Sequence, residues 1–345
     1  EDGSFTITKH PGTGGLVSVG TVTAQLLYEI NSPAYMNPDV IAHFDTLKME
    51  QEGEDRVLVS GCRGSSAPKT HKVCVNLEGG FRNGTEILLT GMDIEEKAKL
   101  VTDLIFENVG GKDQFDHVDI QLIRTDHENP VSNEGAQASL RISVMSQNPD
   151  LVGRLFSAKI VELGLATIPG YTGRSGMPAG PYIQYWPALI DSKFITEMVH
   201  IDGKSIEVTP TSQLDYEEIY YQKEPYQNEM PDVDKLITTK FGNLYGTRSG
   251  DKGGCANLGV WAKNQETYAY LFEFLTVEKL KELLPDLRNF EIDRYDLPNI
   301  FSLNFYVHDI LQEGVSSSTR LDGQAKSLGE YLRAKDVEVP DFLIN

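Results

Sequence analysis

The chain contains no run of eighteen apolar residues, so no helix of it is long and apolar enough to span a bilayer. Positive charge is scarce: 31 Lys and Arg stand against 51 Asp and Glu, a formal net charge of -20. This argues against nucleic acid as a partner, because neutralising phosphates takes basic residues in excess. It also disfavours docking on anionic membrane surfaces. A small anion remains compatible, but only where a local group of cations overrides the overall field. Cysteine is sparse as well. Cys62, Cys74 and Cys255 are odd in number and fit neither a zinc-ribbon nor a redox-pair spacing, and a chain of 345 residues needs no disulfide staples. A reducing, cytoplasmic setting is expected. No Gly-x-Ser-x-Gly elbow, Walker loop or dinucleotide fingerprint occurs, which removes the standard hydrolase triad and leaves no cofactor indicated. The chain opens on Glu1 with neither Met nor an apolar signal core, and Phe5 and Ile7 alternate with Thr6 and Thr8 as in a strand already under way. That start reads as the middle of a longer polypeptide.

What is present describes a globular protein: 40% hydrophobic and 24% charged residues, enough chain for two domains or three. Leu16 to Ile30 shows helical spacing, closed by Asn31-Ser32-Pro33. From Lys69 onward the pattern is strand (His71 to Leu77), a Gly79-Gly80 and Asn83-Gly84 connection, strand (Thr85 to Thr90), then an amphipathic helix (Asp93 to Asn108). Two strands (His117 to Arg124, Ala138 to Met145) and a helix to Leu163 follow. Asn83-Gly84-Thr85 matches a glycosylation sequon, but Asn-Gly is also the commonest hairpin turn, and the turn is preferred. Beyond Lys235 the order recurs: strands Ile237 to Arg248 and Asn257 to Ala262, helix Thr267 to Leu284, strands Phe290 to Tyr295 and Phe301 to Val307, helix Leu321 to Ala334. Both blocks read β-β-α-β-β-α. The expected fold class is therefore α+β, two two-layer sandwich modules, the C-terminal one ferredoxin-like. The segment 209–234 holds Pro210, Pro225, Pro231, many acids and four tyrosines with little apolar periodicity. It divides the chain into a main domain, 1–208, and a second domain, 235–345.

One segment concentrates chemistry. Arg248-Ser249-Gly250-Asp251-Lys252-Gly253-Gly254-Cys255-Ala256-Asn257 places both charge signs, a hydroxyl, a carboxamide and three glycines between two apolar stretches, and reads as a functional loop. Arg248 suits a carboxylate clamp, Asp251 and Lys252 suit acid–base work, and Asn257 suits orientation of a carbonyl oxygen. The structural alternative is an Arg248–Asp251 ion pair stapling a wide hairpin loop, with Asn257 closing a turn. Gly12-Thr13-Gly14-Gly15, ahead of the first helix, offers backbone amides for a phosphate or an oxyanion, or else simply makes a tight strand-to-helix turn. In the Gly- and Pro-rich stretch 169–178, Arg174 is an anion-binding candidate, and Tyr182, Tyr185 and Trp186 beyond it suit an apolar chain or a domain interface. Asp116-His117-Val118-Asp119 and Asp126-His127 lack the paired spacing of a metal centre, and His308 reads as the end of a strand, so no metal is assigned.

Four stretches carry a family resemblance: Lys9-His10-Pro11-Gly12-Thr13-Gly14-Gly15-Leu16-Val17; Val22 to Ile30; Pro181-Tyr182-Ile183-Gln184-Tyr185-Trp186-Pro187; and Arg248 to Gly253 with Asn257-Leu258-Gly259-Val260. Together the sequence resembles the acyclic terpene utilization (AtuA-type) family over nearly its whole length, including that family's ferredoxin-fold module. Family members carry a substantial region ahead of the Gly-Thr-Gly-Gly motif, so the resemblance implies a fragment, or a fold completed by a separate polypeptide. It implies an enzyme or enzyme subunit of branched or acyclic terpenoid acyl catabolism, acting on a carboxylate or a CoA thioester, in a homo-oligomer. The alternative is a non-catalytic binding or scaffold subunit that completes a fold with a missing partner. The resemblance supplies no settled catalytic residues.

Overall fold

The computed structural model describes residues 2–174, 177–209, 226 and 235–344. Apart from Thr209 and Tyr226, the expected linker at 209–234 lies outside the described residues, as do Ser175 and Gly176 of the Gly- and Pro-rich stretch. The chain forms two compact units, Glu1–Val75 with Tyr185–Asn345, and Asn76–Gln184. The first unit opens with β1 (Phe5–Thr8), α1 (Val19–Leu26), β2 (Ala34–Met36), β3 (Ile41–His43), β4 (Lys48–Gly53), β5 (Arg56–Ser60) and β6 (Arg63–Ser65). The chain passes into the second unit within β7 (Thr70–Thr90), continuing through α2 (Ile94–Glu107), β8 (His117–Ile123), β9 (Gln137–Ser146), α3 (Phe156–Leu163) and β10 (Tyr171–Gly173). It returns within β11 (Met177–Asp191) to the hairpin β12 (Glu197–Ile201) and β13 (Lys204–Val208). The C-terminal elements are β14 (Leu236–Lys240), β15 (Gly246–Lys252), β16 (Cys255–Trp261), α4 (Gln265–Phe274), α5 (Val277–Leu283), β17 (Ile292–Leu297), β18 (Ser302–Val307), α6 (Leu328–Arg333) and β19 (Asp336–Pro340).

In the second unit the antiparallel sheet runs β10-β7-β9-β8. Strand alternation turns Ile87, Leu89, Ala138, Leu140, Ile142 and Val144 to one face, where they bury Val101 and Ile105 of α2 and Phe156 and Ile160 of α3. The chain order β-α-β-β-α-β in this spatial order is ferredoxin-like. The expected opening hairpin does not form. β7 is one continuous strand, and Asn83 and Gly84 pair within it with Val144 and Ser143. The reason lies in the Asn83 side chain: buried at 6% exposure, it donates to the Val152 carbonyl at 2.6 Å and to Ser157 Oγ at 3.0 Å, so the tertiary bonds prevail over the local turn preference.

In the first unit the C-terminal sheet runs β15-β16-β18-β17, all antiparallel. Leu258, Val260, Leu303, Phe305 and Val307 face the helical layer of Tyr268, Leu271, Leu280, Leu328 and Leu332. The opposite face carries Arg248, Gly250, Lys252, Asn257, Gly259 and Asn304, because residues directly paired across an antiparallel sheet share a face. The segment that follows α1 covers that face. A Cβ on Gly259 would lie 2.5 Å from the Leu27 Cβ, so only glycine admits this approach. Asn299 donates to the Phe44 and Leu47 carbonyls at 2.8 and 2.9 Å, a further tie between the two ends of the chain. These bonds explain why the first compact unit joins both ends of the chain.

Helices are shorter than their periodicity predicts. α1 begins at Val19, where Ser18 and Thr21 form a reciprocal capping box. The long C-terminal helix is broken into α4 and α5, the second capped by Thr276. No helix among the described residues is long and apolar enough to cross a membrane, and none of the three cysteines is in a disulfide among those residues.

Candidate functional site

The chemistry-rich segment is not a loop. β15 and β16 pair from Gly246–Trp261 to Lys252–Cys255, leaving Gly253-Gly254 as the whole turn. Gly253 has φ +64, the left-handed conformation that tight hairpins demand. Holding Arg248 to Lys252 in a strand fixes their faces. Arg248, Gly250 and Lys252 line up on one side, while Asp251 belongs to the other. The Arg248–Asp251 staple therefore does not form. Asp251 Oδ1 lies instead 3.6 Å from Lys326 Nζ.

Gly250 makes a slot between the two cations. A Cβ there would lie 2.8 Å from Tyr28 Cε2 and 2.8 Å from Glu29 Cγ. The Tyr28 ring occupies that slot, with the Arg248 guanidinium carbon 4.1 Å from its centroid. Lys326, just ahead of α6, donates to Glu29 Oε1 at 2.5 Å and also to the Tyr28 hydroxyl. Lys252 Nζ stands 5.7 Å from the Tyr35 ring centroid. At the hairpin tip Tyr185 packs on Gly253, and Lys72 Nζ stands 5.5 Å from the Tyr185 centroid. Arg248, Lys252 and Lys72 form no ion pair among the described residues. In a chain with twenty excess acids, these three cations lack a carboxylate within ion-pair distance among the described residues.

Burial is the main cause that pushes the Lys252 amine below the ordinary lysine range, with the positive charge of Lys72 adding to it and Glu29 and Asp251 opposing. For Glu29, burial alone would raise the carboxyl. The hydrogen bonds from Lys326 and Tyr28 and the charges of Lys326 and Lys252 together outweigh it and hold the group low. Lys326 is pushed up to about 12, because its bonds to Glu29 and Tyr28 outweigh the effect of burial. Glu29, in the turn two residues past the α1 C-cap Leu27, has φ 56, a left-handed backbone usually given to glycine.

Asn257 is fully buried and all its hydrogen bonds go to protein groups. Its Oδ1 accepts from the Glu29 backbone N–H at 2.8 Å, and its Nδ2 donates to the Leu27 carbonyl at 2.5 Å and to Asn304 Oδ1 at 2.9 Å. It positions Tyr28 and Glu29 and has no atom turned toward a ligand. Asn304 in turn donates to the Asn31 carbonyl at 2.8 Å.

Tyr28 and Tyr35 also line an apolar cavity of about 580 Å³, together with Phe5, Ile7, Leu16, Val17, Val22, Leu26, Phe44 and Val59. This size is ordinary for a small-molecule pocket. α1 forms one wall. The Gly12 to Gly15 turn feeds Leu16 and Val17 into the same cavity, at the start of α1, whereas Tyr28 stands beyond its end. The amides that follow the turn are already engaged. Val17 N–H donates to Asp55 Oδ1 at 2.7 Å, Ser18 N–H to Thr21 Oγ1 at 2.9 Å and Val19 N–H to Gln51 Oε1 at 3.0 Å. Thr13 is tied to His10 through both its N–H and its hydroxyl, and Lys9 pairs with Asp55 at 3.1 Å. Gly12, Gly14 and Gly15 face open space. Asp55 thus engages the Val17 amide and Lys9, and the turn delivers Leu16 and Val17 to the pocket.

Arg174 belongs to the second unit, where its exposed guanidinium lies 3.3 Å from Glu86 Oε2. Tyr182 is buried against Gly79, and Trp186 is exposed. The acids of the two His-Asp groups have protein partners: Asp116 with the Gln147 amide, Asp119 with Gln121, Asp126 with Arg124. Sequence reasoning gave no site role to Tyr28, Glu29, Lys72 or Lys326. Tyr28-Glu29 stood inside an expected helix, and the two lysines occupy no motif.

An α+β protein with a ferredoxin-like C-terminal sheet and an apolar pocket edged by cations is thus defined. The model of the acyclic terpene utilisation family protein AtuA matches residues 1–201, and that of the AtuA ferredoxin-like domain matches residues 239–338. The chain belongs to this family. No curated protein and no solved structure matches it.

Proposed function

We propose that the first unit binds a branched, acyclic acyl compound with an anionic head, a carboxylate or a CoA thioester, and acts on it in terpenoid catabolism. The carrying observation is that Tyr28 and Tyr35 belong to both halves of the site: they line the apolar cavity and they bear Arg248 and Lys252. The cavity takes the hydrocarbon chain. Arg248, whose planar fork is oriented by stacking on Tyr28, takes the head group with Lys252 and Lys72. Lys252, half-buried and with its amine pKa depressed, is the proton-transfer group. Lys326 with Glu29 and Asp251 fixes the wall opposite, and Asn257 positions it.

Calorimetry with a branched ten-carbon carboxylate and the corresponding alcohol tests this. The acid should bind, and the alcohol, which offers the cations no charge, should bind at least tenfold more weakly. The Arg248→Met/Lys252→Met double variant should lose about 10- to 100-fold for the acid, the worth of charge-assisted hydrogen bonds, while keeping its circular dichroism spectrum. Unchanged affinity in a folded double variant overturns the assignment.

A further inference from the structure

The C-terminal sheet carries a second constellation, two strands away from the anion site and independent of the proposed function. β17 and β18 pair antiparallel with Asp293 opposite Tyr306 and Ile292 opposite Val307. One step further the His308 backbone N–H donates to the Glu291 carbonyl at 3.0 Å, so Glu291 and His308 are cross-strand neighbours. Glu291 and Asp293, two residues apart on one strand, share a face. Backbone register, not loop chance, therefore gathers two carboxylates and an imidazole. One ligand atom from each lies within 4.8 Å of the others.

The detail favours a cation. His308 Nε2 stands 2.9 Å from Asp293 Oδ2. The ring is steadied edge-on by Tyr306, 4.9 Å between centroids at 89°. The Tyr295 hydroxyl donates to the same Asp293 oxygen at 3.4 Å, fixing the carboxylate and leaving its other oxygen available. All three ligands are partly accessible, so an ion can enter and keep water in its remaining positions. The -20 net charge draws cations to the surface in general.

We infer that Glu291, Asp293 and His308 form a binding site for a divalent transition-metal ion such as Zn²⁺, held by one nitrogen and two oxygen ligands. The ion replaces the proton shared between His308 and Asp293 and joins β17 to β18. Imidazole with carboxylates selects zinc, cobalt or nickel over magnesium, which prefers oxygen alone.

The test uses the full chain, stripped with chelator and titrated by calorimetry with Zn²⁺, Co²⁺ and Mg²⁺, with Co²⁺ also followed by its visible absorption. One equivalent of Zn²⁺ should bind, Co²⁺ should develop ligand-field bands, and Mg²⁺ should give no heat. His308→Gln and Asp293→Asn, both close in shape to the native side chains, should each weaken Zn²⁺ binding at least tenfold and abolish the Co²⁺ bands. Absence of Zn²⁺ binding by the wild-type chain, or equal binding by either folded variant, overturns the site. Should one variant fail to fold, the other and the wild-type Co²⁺ spectrum still decide.

Discussion

Replacing Asn257 with Ala should destabilise the first unit severely while removing nothing that touches a ligand. The side chain is fully buried and connects three groups that lie far from it in the chain: the Leu27 carbonyl, the Glu29 N–H and Asn304 Oδ1. Each loses its partner in the alanine variant, and a buried polar group left unsatisfied costs about 1–3 kcal/mol. A water entering the space left behind recovers part of that, so the expected loss is roughly 3–5 kcal/mol. Against a total of about 5–15 kcal/mol for a folded domain, this is a large share. Guanidinium unfolding followed by tryptophan fluorescence is the suitable assay, because Trp186 and Trp261 both belong to the first unit. The midpoint should fall with little change in slope. A loss under about 1 kcal/mol would refute the view that Asn257 fastens the segment after α1 to the sheet, and would return it to the candidates for direct ligand contact.

Lys326→Met tests the Glu29 pair through pH. The lowered Glu29 carboxyl contributes stability above its unfolded value of 4.5, lost as pH falls through its depressed folded value. Lys326, raised to about 12, contributes below 10.5 and loses that contribution as pH rises through about 12. The wild-type advantage over the variant should therefore be flat from about pH 6 to 10 and shrink below about pH 4.5, with a plateau of only about 0.5–1 kcal/mol because both groups are over a third exposed. A plateau that persists to pH 2 would rule out the pair as its source. Lys252 is checked chemically: its depressed amine should be acetylated ahead of the exposed lysines at about pH 8, read by peptide mass mapping, and the branched carboxylate should protect it. Labelling at the rate of Lys99, whose pKa is raised by its bond to Asp103, would contradict its burial.

Much of the fold was legible because the apolar alternation is strong where layers bury each other. α2 falls within one residue of its expected span, and the two C-terminal hairpin strands carry Leu258, Val260, Leu303 and Phe305 at the required period of two. The failures have a common cause in long-range bonds. Asn83-Gly84 has the local chemistry of a turn, yet Val152 and Ser157, some seventy residues away, hold it in a strand. The charged segment looked like a loop because it is rich in glycine. Those glycines are instead dictated by close neighbours and by the tight turn: Gly250 by Tyr28 and Glu29, Gly254 by the Gln312 backbone, and Gly253 by its left-handed turn conformation. A strand can carry glycine without breaking where another element must approach its backbone. The candidate site was half legible. Arg248, Asp251 and Lys252 announced themselves by composition, but the residues that complete their surroundings come from positions 28, 29, 72 and 326 and share no motif.

Glu29 argues that this completion is more than incidental packing. A left-handed backbone is normally given to glycine, and another residue there costs about 1 kcal/mol. Here a glutamate bears the cost, its N–H held by Asn257 and its carboxylate by Lys326. If the position served only to turn the chain after α1, glycine would do so without strain. What the glutamate adds is a negative charge fixed beside two cations, Lys252 and Lys326, whose field it tempers. Backbone strain held in place by these hydrogen bonds, next to positive charge and an apolar cavity, supports the proposal that the site orients an amphipathic anion. The same frame accounts for Gly250, since any side chain there would expel Tyr28 from between Arg248 and Lys252 and part the cavity from its charged rim.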